Sequence, residues 1–243
     1  MKMMTFAKRC AKEILRDPLT LCFGLGFPLM ILLLLHTIQS NIPAALFTLD
    51  SLAPGVAVFG LSFMTLFSAT LISKDRESAF LQRLYTTPLS GIDFVLGYML
   101  PLLPMALGQS LLCYLCAILL GLPVSIHLLF SLIGVLPMAV FHIALGLLCG
   151  SVLRVKQVSG ICGALLTNLS AWFSGVWFDL NLAGDVFGFV ASLLPFFHAA
   201  EWNKALLQGN AGSAVSHLFP ILIYSTLTTI AAIYCFLRQM KKQ

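Results

Sequence analysis

Charge is scarce in this sequence. Only 9% of its 243 residues are charged, against about 25% in a soluble domain. That excludes a surface facing water over most of its area. The charges that do occur stay out of the long apolar runs. Ion- and proton-coupled pathways usually put charged groups inside membrane spans, at about 2.5–3.5 kcal/mol each, so such coupling is not expected here. Polar sequence is also short: nothing between the apolar runs approaches the ~50 residues of a small soluble domain. Catalytic signatures are missing as well. The chain has no G-x-x-x-x-G-K-S/T loop, so ATP hydrolysis of that kind is not expected of it. It has no H-E-x-x-H zinc helix and no pair of acids within an apolar run.

What is present is apolar: 59% of the residues are hydrophobic and the mean hydropathy is +0.97. A bilayer core needs roughly 20 apolar residues per helix, so the length allows about six crossings with short loops. The basic residues set an orientation. All Lys and Arg except Lys204 fall in four short segments, Lys2 to Arg16, Lys74 to Arg83, Arg154 to Lys156 and Arg238 to Lys242. Short basic loops stay on the cytoplasmic side, which predicts both termini inside. The net charge of +5 then anchors the protein on an anionic leaflet and is not a nucleic-acid signal. The N-terminus is charged throughout and is not expected to be a cleavable signal. The seven cysteines fall in spans or on the cytoplasmic side, so a disulfide framework is not expected. Cys113 and Cys116 read as small helix residues.

The fold class is therefore an all-α membrane protein, one transmembrane domain over residues 1–243. Met3, Phe6, Ala7, Cys10 and Ile14 make one apolar face and Lys8, Arg9, Lys12 and Glu13 the other, which predicts an amphipathic helix lying on the membrane. Asp17 and Pro18 start the next helix. Spans are expected at about 19–38, 53–73, 94–120, 126–153, 158–178 and 217–237. Gly24, Gly26 and Pro28 bend the first, and Pro101 and Pro104 kink the third. The apolar stretch 186–197 is too short to cross and is expected to be re-entrant, broken by Pro195, with Glu201, Trp202, Asn203 and Lys204 returning to water. Gly146 with Gly150, and Gly160 with Ala164, have the spacing that lets membrane helices approach closely.

Chemistry is thinly marked. Ser174, His142 and His198 are the nearest serine and histidine candidates for an intramembrane protease, but Ala171, Trp172 and Phe173 precede Ser174 where a G-x-S-G pattern would be needed. His198 and Glu201, three residues apart, lack the further ligands of a metal site, and no metal is expected. The polar segment after the second span is more informative. Phe80, Leu81 and Leu84 share one helical face, Arg76, Glu77 and Arg83 lie off it, and Pro88 ends the helix. Such a helix rests on lipid headgroups or presents an apolar knob to a soluble partner.

Here the chain resembles a family. Arg76-Glu77, then Leu81 and Leu84, then Thr86-Thr87-Pro88-Leu89-Ser90, is similar to the segment after the second helix of type-2 ABC exporter permeases, the membrane subunits of drug, lipid and antimicrobial-peptide exporters. Ser174-Gly175-Val176-Trp177-Phe178, followed by Leu194-Pro195-Phe196-Phe197-His198-Ala199 and Glu201, resembles the end of the fifth helix and the re-entrant helices of that family. The resemblance implies a multi-pass permease of a bacterial plasma membrane that moves a lipophilic or amphipathic substrate outward. The chain would bind no cofactor itself; ATP and Mg would sit on a separate ATP-binding ABC subunit. A second permease copy, in a homodimer or heterodimer, and the lipid bilayer would be its other partners. Arg76, Glu77, Phe80, Leu81, Arg83 and Leu84 would form the ATPase-coupling helix, aided by the N-terminal helix. Pro195, His198 and Glu201 would belong to the outer re-entrant region. The competing readings are a membrane-embedded enzyme of the protease or lipid-modifying type and a non-catalytic scaffold.

Overall fold

Helices follow one another along the described residues of the computed structural model, 2–43, 45–78, 91–177 and 184–240. Helix α1 is Lys2–Leu15. A short α2, Pro18–Leu21, runs through a π-helical turn, Cys22–Gly26, into α3, Phe27–Ser40. Next come α4, Leu49–Gly60, and α5, Ser62–Glu77, in line across a break at Leu61. Helix α6, Gly91–Leu119, carries both Pro101 and Pro104 without interruption. Helices α7, Ile126–Gly134, and α8, Leu136–Val152, are divided just before Pro137. Then α9, Val155–Val158, a π-helical stretch, Ser159–Leu166, and α10, Thr167–Phe173, form one run. The chain closes with α11, Asp185–Ser192, α12, Pro195–Leu207, and α13, Ala211–Met240.

Five helices among the described residues are long and apolar enough to cross a membrane: Cys22–Ser40, Leu49–Glu77, Gly91–Leu119, Ile126–Val152 and Ala211–Gln239. They coincide with five of the six expected spans. The run 155–173 is not among them, because Lys156, Gln157 and Asn168 dilute its apolar residues. It ends at Phe173, short of the expected 178.

The line of α4 and α5 is the buried centre of the bundle, and small residues put it there. Helix α8 lies against α5 through Gly146 and Gly150. A Cβ on Gly146 would stand 1.9 Å from Ser68 Oγ and 2.2 Å from the Thr65 carbonyl oxygen; one on Gly150 would stand 2.5 Å from the Ala69 carbonyl oxygen. Such closeness lets α5 hydroxyls reach across to α8. Thr65 Oγ1 donates to the His142 carbonyl at 3.0 Å and also meets His142 Nδ1 at 3.0 Å, while Ser68 Oγ donates to the Ile143 carbonyl at 3.0 Å. The second expected small pair behaves differently. Gly160 and Ala164 are exposed, and nothing lies within 4 Å of a Cβ built on Gly160. Spacing alone marks a helix face that allows close approach, not which helix fills it.

Helix α1 has the expected apolar face, with Phe6, Ala7, Cys10 and Ile14 buried. That face is covered by protein rather than resting only on lipid. Phe6 packs edge-on against Phe94 and Tyr98 of α6, with ring centres 5.7 and 4.9 Å apart. Gly97 makes room for it, since a Cβ there would stand 2.3 Å from the Phe6 ring.

The region after α10 also departs from expectation. Pro195 does break the apolar stretch, but it does so by starting α12, where its missing N–H is harmless. Trp202 and Asn203 do not return to water. Asn203 is fully buried in a ring of hydrogen bonds: Asn203 Nδ2 donates to Tyr114 Oη at 3.1 Å, Ser131 Oγ donates to Asn203 Oδ1 at 2.7 Å, and Tyr114 and Ser131 join at 2.5 Å. Trp202 Nε1 donates to the Gly134 carbonyl at the break between α7 and α8, at 2.8 Å. Backbone polar groups in an apolar interior must find partners, and α12 supplies one for that break.

Candidate functional site

The two ends of the bundle differ in charge. At one end, α1, the foot of α5, the turn from α8 to α9, and the end of α13 bring together the basic residues. The other end holds α11, α12 and the start of α4.

At the basic end, Asp75 is the organising group. It is only 2% exposed, in the last turn of α5, and a lone carboxylate there would be costly. Arg9 of α1 grips it with Nη1 and Nη2, at 2.5 and 2.7 Å, and Tyr98 Oη donates to it at 2.9 Å. Arg9 also pairs with Glu13 at 2.8 Å. Burial lowers the affinity of the Arg9 guanidinium for its proton, but the bond to Asp75 and the two carboxylates outweigh it and hold the group above its ordinary value. The neighbouring Cys10 thiol is pushed up to about 12, mainly by burial, and so stays protonated and inert. Sequence reading missed this lock. The signal was available: an Asp directly after an apolar run needs a partner, and Arg9 lies on the polar side of an amphipathic helix that has to pack somewhere.

The next two residues straddle the turn from α8 to α9. Arg76 donates through Nη1 to the Ser151 carbonyl and through Nη2 to the Leu153 carbonyl, placing a cation on carbonyls at the C-terminal end of α8. Glu77 Oε1 accepts from the Val155 N–H at 2.8 Å, at the N-terminal end of α9. The pair therefore braces α5 to that turn. Of the six residues expected in a coupling helix, Arg76 and Glu77 have these side-chain partners within the chain. Phe80, Leu81, Arg83 and Leu84 lie outside the described residues.

At the opposite end a cavity of about 460 Å³ opens among Phe47, Ser51, Ser174, Val176, Glu201 and Lys204. Glu201 and Lys204 face each other at 3.7 Å, each about one-third exposed. Pro195 is buried at the start of α12. His198 Nδ1 meets His217 Nδ1 of α13 at 2.9 Å, and its Nε2 donates to the Ser192 carbonyl at 2.9 Å. Burial first, and then the adjacent His217, hold His198 below its ordinary pKa, while the Ser192 carbonyl acts the other way. The structure thus brings Glu201 and Ser174 to one cavity and joins His198 to His217.

The serine and histidine candidates do not join one another among the described residues. Ser174 Oγ donates to the Ala171 carbonyl at 3.2 Å, not to a histidine. His142 is bonded to Thr65. Among the described residues no group of three His, Cys, Asp or Glu side chains is placed to hold a metal.

No curated protein matches the chain. The family model for the ABC-2 type transporter matches residues 1–207, taking in α1, the braced foot of α5, and the cavity-lining α12. With its bundle of membrane-length apolar helices, the chain belongs to the ABC-2 type transporter family and is a multi-pass membrane permease of an ABC transporter.

Proposed function

We propose that the chain is the permease subunit of an ATP-driven exporter in a bacterial plasma membrane, working as a dimer above two separate ATPase subunits that carry ATP and Mg. In this reading it crosses the bilayer six times. The run 155–173 and its continuation form the fifth span, α11 and α12 form a re-entrant unit in the outer leaflet, and both termini are cytoplasmic. The segregation of basic residues to one end supports that orientation. Lipophilic or amphipathic cargo leaves past α12, with Pro195, His198 and Glu201 at the outer mouth. An exposed stripe of Gly160, Ala164 and Asn168 supports a second copy seated there, since small residues with an amide favour helix pairing in lipid.

The observation that carries the reading is the brace at the foot of α5. Arg76 and Glu77 tie α5 to the turn between α8 and α9, so force delivered just beyond Glu77 reaches two central helices together. An ATPase that closes on residues 80–84 would therefore move the core of the bundle rather than a loop.

The experiment is co-purification followed by transport in proteoliposomes. Phe80→Ala with Leu84→Ala removes the apolar anchors, and ATPase binding should fall on the order of 30-fold while the permease stays in the membrane. Arg76→Gln should keep the ATPase bound and hydrolysing but cut transport per ATP. Normal co-purification and transport in the double variant would mean that the helix rests on lipid and that the coupling assignment is wrong.

A further inference from the structure

An open cleft of about 530 Å³ lies at the basic end between Arg76, Glu77, Arg154, Lys156 and Gln239. From its lining and its surroundings we infer that it holds the headgroup of an anionic phospholipid, bound in the cytoplasmic leaflet as a structural ligand of the permease.

Its charge is the first reason. The described ion pairs are Arg9 with Asp75 and Glu13, and Lys204 with Glu201. Arg154 and Lys156 take part in none of them. Glu77, the one acid among the described lining residues, already accepts the Val155 N–H, and Arg76 is turned onto the Ser151 and Leu153 carbonyls. The cleft therefore has a fixed wall, made by the brace, and two cations at its rim that pair with no carboxylate among the described residues. A phosphodiester matches that arrangement: the Arg154 guanidinium presents a fork that suits phosphate oxygens, Lys156 adds a point charge, and the Gln239 amide adds a neutral donor.

Its position is the second reason. The cleft lies where three membrane-length helices end, at Glu77, Val152 and Gln239, and an exposed apolar side chain precedes it on α8. Val152, the last residue of α8 and two before Arg154, is 57% exposed. A soluble anion has no use for that apolar flank, whereas acyl chains do. Basic pockets between membrane helices on this side suit anionic headgroups.

The test uses the full-length chain extracted in mild detergent from membranes containing phosphatidylglycerol and phosphatidylcholine, with bound lipid counted by native mass spectrometry. Phosphatidylglycerol should be retained in preference to phosphatidylcholine. Arg154→Gln with Lys156→Gln should weaken retention about 30-fold. Lys8→Gln with Lys12→Gln, the same charge change on α1, should leave it within about threefold, and Arg154→Lys with Lys156→Arg should restore most of it. Thermal unfolding of each variant shows that the fold is intact. Equal losses in the two Gln pairs would mean a diffuse electrostatic field and overturn the site. So would equal retention of the two lipids, or full retention in the Arg154 and Lys156 variant, including the case where that variant loses a soluble partner instead. Each of these outcomes stands apart from the transport reading, which the coupling variants test separately.

Discussion

Arg9 and Tyr98 hold the Asp75 side chain in a nearly closed environment. Arg9→Ala strands that carboxylate, and the loss should be about 2 kcal/mol, less than for a fully enclosed pair because the Arg9 side chain is one-third exposed. Unfolding in detergent measures it. Arg9→Met combined with Asp75→Leu should be less damaging than the sum of the two single changes, since removing both leaves no buried charge unpaired, only the Tyr98 hydroxyl without its acceptor; a double variant as unstable as the sum would mean the two residues act independently. His198 gives a pH dependence with a definite sign. Its folded pKa is depressed, so its contribution is fully present above the unfolded value of about 6.5 and fades as pH falls below it. The unfolding temperature should therefore drop between about pH 7 and 5, and His198→Gln should show a smaller drop. At this scale the sequence displayed the residue types but not their partners. Arg9 and Asp75 are 66 positions apart, and they meet because α1 and α5 both pack against α6.

Helices were more legible than contacts. The apolar period of α1, the five membrane-length runs and the helix start at Pro18 could all be read directly, because each is written in consecutive residues. Helix α12 could not. Its apolar beginning and its Glu-Trp-Asn-Lys stretch look like a hydrophobic dip followed by a return to water, yet Asn203 is buried against Tyr114 and Ser131. A polar residue whose partners lie on other helices carries no local mark of burial. The two small-residue pairs make the same point and separate in one experiment. Gly146→Ala drives a Cβ into the Thr65 carbonyl, a backbone atom that cannot step aside, and should cost about 1–3 kcal/mol. Gly160→Leu meets empty space in the single chain, so folding should be unaffected while self-association weakens, as cross-linking or size analysis in detergent would show. Unchanged self-association would place the partner copy on another face.

For the whole molecule the clearest expectation is sidedness. In a background without native cysteines, a cysteine at Asp50 or Asn210 should react with an impermeant maleimide from outside, and one at Lys156 or Gln239 only after permeabilisation. Outside labelling at Gln239 would require an odd number of crossings. The division between a basic end and an end carrying α12 was legible from charge alone, whereas the lock at Asp75 and the brace beyond it were not, since both join segments distant in sequence. The ring of Tyr114, Ser131 and Asn203 also bears on how the protein is made. Tyr114 and Ser131 lie 17 residues apart, and Asn203 follows Ser131 by 72. During synthesis the two hydroxyls are therefore in the bilayer well before the amide leaves the ribosome. They can shelter each other as soon as α6 and α7 form a hairpin, leaving a ready-made polar berth. The late-arriving α12 completes that berth, so the order of insertion is built into the order of hydrogen bonds.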